Sequence, residues 1–320
     1  MEEIFLPYDI YYNLISRNDN DSFSKLFSAE KEFMPNPIYA RTTLYRAFRG
    51  VAITFMELNS VCEKFDAFIP YLAMTYVDRF VSARDIPNVI PGSRSKNIFL
   101  FLTCCLSIAS KMRNDNFKIA KILQLRKPML KYETKDAFQM ECAICEGLQW
   151  KMRSLTPICF VDYFIDFLRC RSPVHPFVPR RSVHHTIIKS QGVIKLTKYR
   201  PSHVAASAVL TASFRLYPEN YDEFKQLILS SEHICMNCME EASKCIEMVE
   251  QMCETGPSEA MVTEKNSSSS ADPSSVMTSS VDEIPRDRDG LMDFKLDWTA
   301  VSSRISQSRQ VFPNPRKIKQ

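Results

Sequence analysis

Glycine is scarce in this chain, with six in 320 residues, and that scarcity argues against loops that cradle phosphate and against tight hairpins. Neither a G-x-G-x-x-G sequence nor a Walker sequence is present. Histidine is rarer still, with five. His175, His184, His185, His203 and His233 belong to no nucleophile or metal motif, so no catalytic residue and no metal ligand is assigned. Long apolar runs are also missing: the longest ends at Lys111 after about a dozen residues, short of the roughly twenty that span a bilayer. Charge of one sign is missing too, with 41 basic against 37 acidic residues, which is too balanced for a nucleic-acid footprint. Met1-Glu2-Glu3-Ile4 is acidic where a signal peptide is basic, so the eleven cysteines are expected to be reduced thiols inside a cell. The C-x-x-C spacings Cys142/Cys145 and Cys235/Cys238 fall in helical patterns without the turn glycines of a zinc knuckle, and read as small core residues.

What is present is helix. The periodicity predicts helices near 38–62, 66–82, 96–113, 116–124 and 132–148, separated by Pro87, Pro91-Gly92 and Pro128. Thr156-Pro157 reads as an N-cap and first-turn proline opening a helix through Leu168. A loop from Arg171 to His185 follows, then helices near 186–197, 201–215, 220–230 and 233–253. The second group echoes the first: Cys105 to Lys111 resembles Ala208 to Phe214, and Asp115-Asn116-Phe117-Lys118 resembles Asp222-Glu223-Phe224-Lys225. Residues 1–33 form an acidic N-terminal arm with one short helix at Ile4 to Ile15. The fold class is therefore all-α, two tandem helical units at 34–153 and 154–253. Residues 254–320 are a Ser-rich tail with no apolar period, expected to be disordered and PEST-like in composition. The tail contains Ser280 in an acidic setting as a candidate phosphosite, the alternating segment Leu291 to Trp298, and Arg316-Lys317-Ile318-Lys319 as a weak nuclear-import sequence.

Three charges stand on otherwise apolar helix faces. Lys111 closes the run from Ile98 to Ser110. Glu141 sits among Ala137, Phe138, Ile144, Cys145 and Leu148 at helical spacing, and Asp78 follows Met74 by one turn. Such charges are costly without partners. An intramolecular ion pair or a snorkelling side chain would satisfy each of them.

Their company points further. Arg49-Gly50-Val51 leads without a gap to Tyr76-Val77-Asp78-Arg79-Phe80, and Ala109-Ser110-Lys111 and Met140-Glu141 follow about thirty residues apart. This pattern resembles the cyclin box. Phe80 to Pro87, Leu148 to Pro157, Phe160-Val161-Asp162-Tyr163-Phe164 and Tyr199-Arg200-Pro201-Ser202-His203-Val204 are similar to plant D-type cyclins, over about 38–253. The resemblance implies two stacked five-helix folds that bind and activate a cyclin-dependent kinase at G1/S, in the nucleus and cytoplasm, with no cofactor; the protein itself is no enzyme. It implies that Lys111, Glu141 and Leu100 face the kinase and that Arg49 pairs with Asp78 inside the box. It also implies a substrate-docking groove at Arg49, Ala52, Phe55 and Phe99, though Thr54-Phe55 and Ala52 depart from the usual residues. Kinase inhibitors and a ubiquitin ligase are the further partners implied; nucleic acid and membrane are not. The retinoblastoma-gripping Leu-x-Cys-x-Glu is absent, since no cysteine precedes Cys62, which suggests the divergent sixth D-type subgroup. A cyclin-fold transcription factor is disfavoured by the lack of a zinc ribbon and basic stripe, and a kinase-free scaffold by the presence of both Lys111 and Glu141.

Overall fold

The computed structural model describes residues 20–36, 43–59, 67–113, 133–234 and 239–255, and these hold ten α-helices and no strand. They are α1 (Asn20–Ala29), α2 (Thr43–Asn59), α3 (Phe68–Ala83), α4 (Arg94–Met112), α5 (Thr134–Gly147), α6 (Ile158–Arg171), α7 (Arg180–Ser190), α8 (Pro201–Phe214), α9 (Tyr221–Leu229) and α10 (Met239–Thr255). The expected helices at 4–15 and 116–124 lie outside the described residues, as do Asp115 to Lys118, Cys235, Cys238 and everything beyond Thr255. Ser280, Leu291 to Trp298 and Arg316 to Lys319 are among the latter. No helix of the described residues is long and apolar enough to cross a membrane.

Two cores form around two central helices. A helix apolar on every side must be enclosed, and α4 is buried almost continuously from Asn97 to Ser110, packed against α2, α3 and α5. The echoing helix α8 has the same place in the second core, buried from Ser202 to Ser213 among α6, α7, α9 and α10. Three of its buried hydroxyls need no distant partner. Ser207, Thr211 and Ser213 each donate to the carbonyl one turn back, at 2.7, 2.9 and 2.8 Å.

Helix α3 joins the two cores. Phe68 and Tyr71 pack into the second core while Tyr76, Val77 and Phe80 belong to the first. The connection between the units is pinned to α3, with Tyr76 Oη donating to the Met152 carbonyl at 2.7 Å and Arg79 to Lys151 O and Ser154 Oγ at 2.9 and 2.7 Å.

Three boundaries differ from the sequence expectation. Residues 20–33 of the expected arm are helical: α1 lays Phe27 against Phe160, Tyr163 and Phe164, and a 3₁₀ turn at Glu30–Phe33 follows. Glu30 is fully buried, and its carboxylate accepts the Ser202 backbone N–H and hydroxyl, both at 2.9 Å, at the start of α8. An anion there meets the positive end of the helix dipole, and burial raises its pKa against those hydrogen bonds. Next, α7 begins at Arg180, inside the expected loop, because Val183, Thr186, Ile187 and Ser190 form a buried stripe. Finally, Thr156 does not cap α6 through its hydroxyl, which faces Cys159 Sγ at 3.9 Å; Pro157 takes helical angles and α6 starts at Ile158.

Gly147, the last residue of α5, lies against the ring of Phe80, and a β-carbon there would fall 2.2 Å from Cε2. Phe80 is buried, with Phe101 centred 5.1 Å away, so the ring has no space to retreat into. Alanine in a helix gains up to about 1 kcal/mol over glycine, but overpacking a core costs about 1–3 kcal/mol. Gly147→Ala is therefore expected to lower stability in urea denaturation, and Phe80→Leu in the same chain to restore part of the loss. A Gly147→Ala chain as stable as the parent would contradict this packing.

His203 lies 1 % exposed in α8, and Nδ1 has no hydrogen-bond partner among the described residues. Burial, and then the Arg200 charge, depress its pKa from 6.5 to about 4. The fold holds the neutral ring, so this contribution is complete above pH 6.5 and is lost as the unfolded chain takes up a proton between 6.5 and 4. The loss amounts to about 3 kcal/mol. Glu30, with a raised pKa, works in the opposite direction, so the residue-specific measure is a comparison. Denaturation of the parent and of His203→Asn at several pH values is expected to show a shallower acid loss in the variant.

Candidate functional site

The C-terminal half of α4 and the outer side of α5 build one surface. Small residues let the helices approach: Cys104 Sγ donates to the Ala137 carbonyl at 3.6 Å, and Ser107 Oγ donates to Glu141 Oε1 at 2.7 Å. One turn beyond Ser107, Lys111 Nζ reaches both Glu141 oxygens, at 2.8 and 2.7 Å. The carboxylate is thus held by three hydrogen bonds, and its side chain is 17 % exposed while that of Lys111 is 57 % exposed. An ammonium carries three donors, so this one retains an N–H for a further acceptor. The neighbouring thiols stay neutral. Burial, followed by the Glu141 charge, raises the pKa of both Cys104 and Cys145.

Beside the buried stripe Ala137, Met140, Ile144, helix α5 carries a second stripe of Phe138, Glu141, Cys142 and Cys145, and Phe138 is 67 % exposed. The turn after α5 adds Trp150, also 67 % exposed. Gln149 and Trp150 have φ of 57° and 58°, two successive non-glycine residues in the left-handed region, at a cost of roughly 1–2 kcal/mol each. The Trp150 N–H donates to Cys145 O at 2.8 Å, and Met152 N–H to Trp150 O at 2.9 Å, which holds the turn. This geometry buries Leu148 and Met152 and leaves the indole between them outside. The sequence places Phe138 on the apolar face around Glu141 and leaves Trp150 unmarked, whereas both side chains stand open to solvent. Their signals are a Phe off the 137/140/144 stripe and a Trp between polar Gln149 and Lys151.

The other expected site residues lie elsewhere. Leu100 is 0 % exposed, inside the first core, and so is a packing residue rather than a surface contact. Arg49 and Asp78 form a buried ion pair, Nε lying 3.2 Å from both carboxylate oxygens, and Tyr45 Oη donates to Oδ1 of the same carboxylate. Burial pushes the Asp78 pKa up while Arg49 and Tyr45 pull it down. Arg49 also crosses to the second unit, where Nη1 donates to Gln191 O at 2.6 Å and Gln191 Nε2 in turn donates to Tyr71 O at 2.8 Å. Of the expected groove, Arg49, Ala52 and Phe55 are buried, Phe55 and the half-buried Phe99 have ring centres 6.0 Å apart, and Ala47, Gly50 and Thr54 are exposed along α2. The groove residues thus sit mostly beneath the surface, and they do not join the Lys111–Glu141 face. Among the described residues no three His, Cys, Asp or Glu side chains come together as a metal site.

A family model described as "Cyclin, N-terminal domain" matches residues 21–153. The chain is 27 % identical over 263 residues to cyclin-D6-1 of Arabidopsis thaliana, covering 77 % of this chain and 83 % of that relative. It is 30 % identical over 154 residues to cyclin-D4-2 of the same plant, where the match spans about half of each, 48 % and 49 %. A viral cyclin from herpesvirus saimiri, of known structure, aligns with a TM-score of 0.48 at 16 % identity, over 66 % of this chain and 86 % of that one.

Proposed function

We propose that the chain is a cyclin, the regulatory subunit that binds and activates a cyclin-dependent Ser/Thr protein kinase, promoting the G1/S transition in the nucleus; the match of residues 21–153 to the cyclin N-terminal domain and the likeness to plant D-type cyclins support this reading. The observation that carries the reading is the Lys111–Glu141 pair, fixed by Ser107, with the exposed Phe138 one turn before Glu141 on the same helix and the exposed Trp150 in the turn that follows that helix. Exposed aromatic side chains around a fixed charge pair are the makings of an interface centre: Trp and Phe supply buried area, and the charges supply orientation. The proposed partner surface is the regulatory helix of the kinase. Holding that helix in place completes the Lys–Glu pair and the activation-loop geometry that phosphoryl transfer needs, and the transfer chemistry remains the kinase's own.

The test is to mix the full chain with a purified cyclin-dependent kinase, measuring co-purification and histone phosphorylation. Binding with a rise in phosphorylation is expected. Binding without activation would make the chain a scaffold, and neither would remove the reading.

A further inference from the structure

Six large apolar side chains stand open to solvent among the described residues, and Phe138 and Trp150 are accounted for above. The other four, Val174, Phe177, Phe214 and Leu216, flank one end of the second core. The Phe177 N–H donates to Tyr217 Oη at 3.1 Å, which ties the loop after α6 to the turn after α8. Tyr217 and Phe214 meet Phe224 and Tyr221 of α9 edge-on, with centres 6.0 and 5.3 Å apart. Phe177 is 61 % exposed and Phe214 and Leu216 are each 50 % exposed, a grouping that isolated surface apolar residues do not make.

The described chain ends beside this patch. Arg215, between Phe214 and Leu216, lies close enough to act on the thiol of Cys253, two residues before the end of α10. Residues 256–320 continue from there, and they contain one segment built for an apolar surface. Met292, Phe294, Leu296 and Trp298 alternate with Asp293, Lys295 and Asp297. In extended form such a segment puts four apolar side chains on one face, about 6.6 Å apart, and its charges on the other.

We propose that Leu291–Trp298 docks in extended form on the Val174, Phe177, Phe214 and Leu216 patch of its own molecule, closing residues 256–290 into a loop that carries Ser280. Reach is no obstacle. The connecting stretch has a mean end-to-end distance of about 33 Å as a flexible chain, and a tether of this kind gives an effective concentration on the order of millimolar, so weak docking suffices. The patch uses the loop after α6, the end of α8 and the turn that follows it, and the proposal stands apart from the kinase reading on α4 and α5.

Trp150 and Trp298 are the two tryptophans, so full-length Trp150→Phe reports on Trp298 alone. Its emission is expected to be blue-shifted and poorly quenched by acrylamide, independently of protein concentration. Adding Phe177→Ser and Leu216→Ser is expected to raise quenching several-fold at unchanged helicity. Phe294→Ser, a change in the segment itself, is expected to do the same. Quenching of the parent like that of a free indole overturns the proposal. Shielding that ignores the patch substitutions also overturns it, as does shielding that grows with concentration, which would mean a second copy.

Discussion

Replacing Lys111 and Glu141 together by alanine is expected to remove kinase binding and activation while leaving the fold intact. Desolvated charges at an interface centre commonly cost roughly 2 kcal/mol or more each when truncated, about thirty-fold in Kd. Their worth to the isolated chain is far smaller. The pair lies at the surface, with Lys111 more than half exposed, and such pairs contribute at most about 1 kcal/mol. That contrast makes the experiment decisive: unchanged melting with lost co-purification supports the interface, and unchanged co-purification sinks it. Trp150→Ala is expected to weaken binding in the same way, because the strained turn at Gln149 and Trp150 holds the indole outside the core at a cost in stability. An alanine there that leaves binding untouched would confine the kinase contact to the charges.

The central helices were legible because their runs are apolar on every side, and no neighbour is needed to say that such helices are enclosed. The same property hid Leu100. An all-apolar run has no stripe to tell an outward residue from an inward one, so its burial emerges only from packing. The start of α7 stayed hidden because Arg180-Arg181 and His184-His185 mask the spacing of Val183 and Ile187. In α1 the spacing of Phe23, Leu26 and Phe27 is present, but its partners Phe160 and Tyr163 lie in the second unit. Charges on apolar faces marked Lys111, Glu141 and Asp78. Distance in the chain decided what stayed hidden: the Gln191 partner of Arg49 is 142 residues away, and no local pattern encodes it. Trp150 depends on two left-handed residues that carry no glycine signal.

Asp78→Ala is expected to destabilise the fold by about 3–5 kcal/mol, the cost commonly found when one member of a buried pair is removed. The carboxylate accepts from Arg49 and from Tyr45, and its loss leaves the buried guanidinium without its counter-charge. The effect should not stop at the first core. Arg49 also holds Gln191, which holds Tyr71, so a shifted guanidinium loosens the contact between the two units. Asp78→Asn keeps an acceptor for both partners and is expected to lose less. Arg49→Met with Asp78→Ala, which removes both charges, is expected to be more stable than Asp78→Ala alone, giving a clear coupling in a double-mutant cycle. Chemical denaturation of the four chains measures this. A chain with Asp78→Ala that melts normally yet no longer binds the kinase would transfer Asp78 from the core to the interface, a result its 6 % exposure argues against.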